Sequence, residues 1–301
     1  MRILSLAALA AAALAVGLPR PAIAQATRLR HLASVYADAK GVGLKRPEGV
    51  ACGAGGLVLV GDTGNGRLLR FTFRDRTVSG GDEIRIPELS APSRLQLGSA
   101  GQIYVLDHPR RRIVRLGPDG TFNGALSFDG APPPETVVPK SFAIDAADRV
   151  YVLDAFGGRV LVLDAQGRFE RALPLPADAR FIADLAVDAG RRLILLDAIQ
   201  RQLYAAGDDG AFAPLGRDLK EALPTPPASL TTGRGLLFIL EGRGSRIVTV
   251  GPDGSFLSSQ LARGWNEGML NYPSQMCVND RDEVFVADRD NSRIQVFALT
   301  R

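Results

Sequence analysis

The chain is short of the side chains that most often do chemistry. Its 301 residues include two histidines, two cysteines and a single tryptophan. Two histidines, His31 and His108, cannot build the His cluster a zinc lyase needs. No Gly-rich phosphate loop runs from a strand into a helix, and no Ser-centred nucleophile motif is present. Convincing helical periodicity is missing beyond the first residues; "GRDLKEAL", 216–223, suits only a turn or two. Two cysteines are too few for a disulfide scaffold, and a chain that is 46% hydrophobic over this length supplies its own core.

Long apolar runs are also missing, with one exception at the start. Met1 and Arg2 precede "ILSLAALAAAALAVG", and "LPRPAIA" then ends in small residues, Ala22 and Ala24. This pattern predicts a signal peptide over residues 1–24, cleaved after Ala24; the run is too short to span a bilayer. No cysteine follows that could carry a lipid. The segment takes Arg2 and Arg20 from the 36 bases and nothing from the 32 acids, so the remaining chain, 25–301, carries a net charge of +2. The expectation is a periplasmic or secreted protein with no membrane insertion after signal removal. Export and near-neutrality give no reason to expect nucleic acid as a partner.

What the sequence has in abundance is internal repetition. Six short apolar runs end in an acid: Asp62, Asp107, Asp154, Asp197, Glu241 and Asp288, spaced 43–47 residues apart. Five residues after each acid stand Arg67, Arg112, Arg159, Gln202, Arg246 and Arg293. Fifteen before each stand Pro47, Pro92, Pro139, Ile182, Pro226 and Pro273. Unit four departs in both columns. A further column puts Gly120, Gly167, Gly210 and Gly254 two residues before Phe122, Phe169, Phe212 and Phe256. Glycine supplies the positive φ of a tight hairpin turn, and the Phe is expected to return an apolar side chain to the sheet.

Each unit therefore reads as four short strands, and a period in the forties predicts an all-β, six-bladed β-propeller of four-stranded antiparallel blades. One blade cannot bury both faces alone, so a closed ring is required. Unit six stops after its third strand. "RLRHLASVY", Arg28–Tyr36, is expected to supply the missing outer strand and close the last blade. Residues 25–301 then form a single domain, expected to be a monomer.

Two stretches carry a family resemblance. "GWNEGMLNYPSQMCVNDRDEVFVADRDNSRIQVF", 264–297, and "LKRPEGVACGAGGLVLVGDTGNGRLLRF", 44–71, resemble the NHL-repeat six-bladed propellers. Tryptophan-aspartate propellers are disfavoured, since Trp265 is the only tryptophan and no aspartate follows it. The resemblance implies that the side carrying the second-to-third strand turns and the connections between blades is the ligand face. Lactonase-like and lyase-like enzymes share the architecture, so fold alone does not fix function.

The repeated acid–base pairs, Asp62 with Arg67, Asp107 with Arg112, Asp154 with Arg159, Glu241 with Arg246 and Asp288 with Arg293, admit two readings. One is structural, a guanidinium fork fixing each turn. The other is a ring of charge around the channel. Repetition in five blades favours the first. Apart from these pairs, the ligand face is expected to gather Lys45, Arg46, Arg94, Arg110, Arg111, Lys140, Arg180, Arg201, Arg243 and Arg289, with Tyr272, against Glu48, Asp184 and Asp290. Either this is a basic binding face, or it is an ordinary solvated surface.

Cys52 and Cys277 lie in the inner strands of units one and six, five and four residues after their prolines. Adjacent strand positions point to opposite faces, as two cysteines bridging neighbouring blades would require; two free thiols are the other outcome. Carboxylates and amides near the channel, Glu48, Asp184 and Gln275, do not form a convincing calcium set, and neither metal nor cofactor is expected. The reading is an exported, non-catalytic propeller binding a protein, a peptide or an anionic envelope polymer. The alternative is a metal-dependent hydrolase, lactonase or lyase acting on a small molecule in the channel.

Overall fold

The computed structural model describes residues 27–87 and 89–300; the expected signal peptide, 1–24, lies outside the described residues. Six four-stranded antiparallel sheets follow one another around a ring. Their innermost strands are Gly49–Cys52, Pro92–Leu97, Pro139–Ile144, Ile182–Val187, Ser229–Gly233 and Met276–Val278. The second strands all end on the repeated acid, and the third strands all begin on the residue five further on. Asp62 opposes Arg67 in register, Asp107 Arg112, Asp154 Arg159, Asp197 Gln202, Glu241 Arg246 and Asp288 Arg293. Regular helix is confined, among the described residues, to three single 3-10 turns. "GRDLKEAL" yields one turn, closed by Leu223 N–H on Leu219 O.

Alternation along the strands explains why the units need each other. Val58 and Val60 face blade six, whereas Leu59 faces blade two. The same division in every blade makes six core clusters, one in each gap between neighbours. Each fully buried Leu, Val or Ile there contributes about 1.5–3 kcal/mol of transfer free energy.

The ring closes twice. Arg28–Val35 pairs antiparallel with Arg293–Thr300 as the outer strand of blade six, from Arg28 opposite Thr300 to Val35 opposite Ile294. A disulfide joins Cys52 of blade one to Cys277 of blade six, with α-carbons 5.9 Å apart.

Two repeat columns need correction. In blade five the register sets Ser229 opposite Leu240, as Ser141 is set opposite Leu153 in blade three, so Pro227 and not Pro226 occupies the repeated proline position. The Phe column is only half packed. Phe169 and Phe212 lie against core clusters, but Phe122 and Phe256 are exposed on the rim of their blades.

Candidate functional site

The repeated acid and base clamp the loop that leads into each blade. The acid is fully buried in all six blades and takes amide hydrogens from that loop. Lys45 N–H donates to Asp62 (2.7 Å), Val138 N–H to Asp154 (3.0 Å), Thr225 N–H to Glu241 (2.8 Å) and Asn271 N–H to Asp288 (2.6 Å). Ala91 N–H donates to Asp107 at 3.2 Å. In blades one, three, five and six the arginine pairs with the acid through Nε, and in blades three and six its remaining N–H groups go to carbonyls of the same loop; in blade two Arg112 approaches Asp107 through Nη2 at 3.6 Å. Arg293 Nε lies 2.7 Å from Asp288, and its Nη2 donates to Asn266 O and Met269 O, both at 2.8 Å. Arg159 lies 3.0 Å from Asp154 and donates to the carbonyls of Pro132, Pro133 and Pro134. Arg67 bridges Asp62 and Asp38. A planar fork with five donors suits this task, and a lysine could not replace it.

Blade four lacks the arginine, and its acid compensates. Asp197 accepts from the backbone of Arg180, Phe181, Ile199 and Gln200 at 2.6–3.2 Å. Burial pushes the carboxyls of Asp107 and Asp197 up, but the hydrogen bonds they accept outweigh it and hold both below the ordinary value. These pairs hold the turns and entry loops of one face of the ring.

The channel itself is crossed by side chains from the inner strands. Arg94, expected on the basic rim, is instead 8% exposed and pairs through Nη2 with Asp184 at 2.8 Å. It stands two residues beyond its proline, where the inner strand has already entered the ring. Asp184, expected near the channel mouth, is fully buried; it also accepts from Ser141 Oγ (2.6 Å) and from Leu230 N–H (2.7 Å). Gln275 Oε1 accepts from Val50 N–H and Leu95 N–H, and its Nε2 donates to Leu95 O. Blades one to six are thereby tied across the axis. Gln275 also lines a cavity of 160 Å³, together with Val50, Cys52, Leu97, Thr232 and Cys277 among others. Glu48 remains near the mouth, with Arg289 4.0 Å away.

This donor set does not fit a metal. Asp184 and Gln275 direct their oxygens at protein donors, and Glu48 stands without a second free carboxylate. Among the described residues no group of three His, Cys, Asp or Glu could hold an ion.

On the face expected to take ligands, Lys45, Arg46, Arg110, Arg111, Arg180 and Arg243 are exposed, and Lys140, Arg201, Arg289 and Tyr272 are half-buried. Arg110 pairs with Asp107 at 3.4 Å, and Arg289 with Asp290 at 2.9 Å. With Arg94 removed to the channel the bases number nine. The count of acids also rises, because the connections between blades carry Asp38, Asp178 and Glu267. These are tied to the same face by Arg67, Tyr204 and Tyr36 respectively. The face is therefore less basic than loop charges alone imply.

Counting charge missed its apolar side. Of eight large hydrophobics exposed among the described residues, six lie in loops of this face: Tyr36, Val42, Phe156, Phe181, Ile199 and Trp265. Phe181 and Ile199 share one anchor in blade four, and Phe156 occupies the corresponding turn of blade three. The backbone N–H of Phe181 and that of Ile199 both bond Asp197, and Lys140 Nζ stands 3.8 Å from the centre of the Phe181 ring. The Tyr272 ring carries two guanidiniums, those of Arg263 and Arg289, 4.8 and 5.7 Å from its centre. An apolar residue within a turn, as in "AFGG" and "AIQR", is the sequence signal that could have found this patch.

The NHL repeat family matches residues 270–297, the body of blade six. With six four-stranded blades in a closed ring, the chain is a six-bladed β-propeller whose sixth blade carries an NHL repeat. No curated protein matches it significantly. Among solved structures it is similar to virginiamycin B lyase from Staphylococcus aureus, at 12% identity and a TM-score of 0.63 over 91% of this chain and 99% of that one. It is similar to a gluconolactonase from Xanthomonas campestris at 17% identity and 0.63, over 91% and 90%. A chain of a nidogen/laminin complex matches at 16% and 0.59, over 73% and 81%. At these identities the likeness establishes the shared fold.

Proposed function

We propose that the chain is an exported, non-catalytic propeller that binds a macromolecule, a protein or peptide before an anionic envelope polymer, through its ligand face. The observation that carries this reading is the concentration of exposed aromatic and aliphatic side chains on that one face, interleaved with arginines and held on clamped loops. Aromatic residues and arginine dominate the energetics of protein interfaces, above all where they are presented rigidly. The channel supports the same reading, because its buried acid and amide are occupied in joining blades. The nidogen/laminin likeness adds that this architecture occurs within a protein complex.

The test is capture from the native envelope fraction by the wild-type chain and by a variant carrying Phe156→Asp, Phe181→Asp and Trp265→Asp. A partner retained by the first and lost by the second supports the reading. Equal capture by both sinks it. The partner should also bind less well at high salt, as charges around the patch are screened.

A second reading is favoured by the fold likeness to a lyase and a gluconolactonase: a hydrolase or lyase acting on a small molecule, with a metal in the channel. That likeness leans toward an enzyme; the engagement of Asp184 and Gln275 leans away from it. A stoichiometric, tightly bound divalent ion in protein purified without added metal would restore it.

A further inference from the structure

Lys140 is an unusual cation for this face. Its ammonium is half-buried and rests on the Phe181 ring at 3.8 Å, yet it makes no ion pair and no hydrogen bond with a described residue. Its three N–H donors thus meet no protein acceptor among the described residues and are open to a ligand that brings one. Burial pushes the amine below the ordinary lysine value, and Asp184 offsets that only in part. Asp184 cannot serve as its partner, being held by Arg94, Ser141 and Leu230.

The acids nearby are engaged elsewhere, Asp178, two residues before Arg180, by the Tyr204 hydroxyl that donates to it. Asp154 is taken by Arg159 and two backbone amides, and Asp197 by four backbone amides and Gln200. Arg180, one residue before Phe181, is exposed and its guanidinium has no partner among described residues. Lys140 therefore stands, with no ion pair of its own, over an aromatic ring that is 48% exposed, and Arg180 is the next residue along the same loop, with Ile199 uncovered on the neighbouring turn.

We infer that Lys140, Arg180 and Phe181 form a binding site for a carboxylate that has an apolar group beside it. The carboxylate accepts from the Lys140 ammonium and the Arg180 fork, and the apolar group covers Phe181. An acidic–aromatic peptide segment and a free aryl carboxylic acid both present this chemistry. The inference rests on the ligand face being a binding face, but it concerns one site within that face.

The experiment uses the whole chain and exploits its composition. Only Lys40, Lys45, Lys140 and Lys220 are lysines, so reductive methylation with carbon-13 gives few signals and keeps the charge. Lys140→Met identifies the signal from position 140. The probes are 4-phenylbutyrate, its uncharged amide, and the peptide acetyl-Gly-Glu-Phe-Gly-amide. Phenylbutyrate is expected to shift the Lys140 signal saturably and to leave the other three in place. The amide should bind at least about tenfold more weakly, since a desolvated charge pair separates the two. Saturation-transfer signal on phenylbutyrate should fall at least about fivefold in Lys140→Met and in Phe181→Ala. A stronger response to the peptide than to the free acid assigns the natural carboxylate to a polypeptide, and the reverse order to a small acid.

The site is overturned if Lys140 stays unshifted up to about 10 mM phenylbutyrate, well above the millimolar range expected of a single such contact. It is overturned equally if all four lysines shift alike or if the amide binds as well as the acid. Such a failure leaves the capture experiment unaffected, because that experiment probes the whole face, Trp265 included.

Discussion

In blade six the lead-in loop is held by Asp288 and Arg293 together, with Asn291 and Gln295 also donating to Asp288. In blade four Asp197 holds the corresponding loop with Gln202 in the arginine's place. Both loops are ordered, and both present apolar side chains to solvent, Trp265 in one and Phe181 in the other. The acid is therefore the indispensable half of the clamp, since it alone satisfies the amides that turn inward. The arginine is an addition that secures carbonyls when the loop is long, as it is between Leu261 and Asn271. Blade six carries two further ties, the disulfide and the strand from the other end of the chain. It is the blade built from separated stretches of sequence, and it is the most redundantly held.

The largest effect should come from removing that distant strand. A chain beginning at Gly41 exposes the full edge of Arg293–Thr300 and is expected to aggregate or lose its cooperative thermal transition. An unchanged melting curve would show that strand pairing in blade six is dispensable.

Next in size is Asp288→Ala. Arg293 is 2% exposed, so the change strands a buried cation and should cost about 3–5 kcal/mol by denaturant unfolding. Asp197→Asn leaves no such charge and retains one acceptor oxygen, so about 1–2 kcal/mol is expected. Equal losses would erase the distinction between the two blades. Replacing both Cys52 and Cys277 by serine should fall between them, about 2–4 kcal/mol, because the bond closes a loop of most of the chain yet is seconded by strand pairing.

Acid offers a milder comparison. Asp107 and Asp197 have folded-state carboxyl values below the unfolded one, so their stabilisation is present above about pH 4 and is lost as pH falls through the lowered values. Hydrogen exchange at the Arg180 and Phe181 amides should quicken relative to core strands over that window. The smallest effect belongs to Gln202→Arg, which gives blade four the missing base at an already satisfied acid; it should change stability by less than about 1 kcal/mol. A large gain would mean that Asp197 alone is an incomplete clamp.

Much of this was legible before any coordinates. The acid and the residue five later fix the turn between strands two and three in every blade, because register follows from a hairpin of constant length. The strand Arg28–Val35 was readable because unit six was one strand short. The site was less so. Arg94 occurs in the same repeat as loop bases, and sequence does not say on which side of the mouth a side chain falls when the strand begins at its neighbour. Asp184 and Gln275 belong to units four and six and meet the other blades only through the ring, so no local pattern joins them. Ile199 was visible as an apolar residue in a turn, but its pairing with Phe181 depends on Asp197 anchoring both the turn and the loop that leads into blade four.

The bonds across the axis change how the ring should come apart. In an open array of repeats each unit feels only its neighbours, and stability is shared out unit by unit, so ends can fray. Here Gln275 reaches past blade one to blade two, and Arg94 past blade three to blade four. Opening a gap anywhere from blade six round to blade four must therefore also break a contact held by a blade further round. Partial states with one blade detached are thereby penalised, and the six repeats are coupled into a single all-or-none unit instead of a string of semi-independent ones.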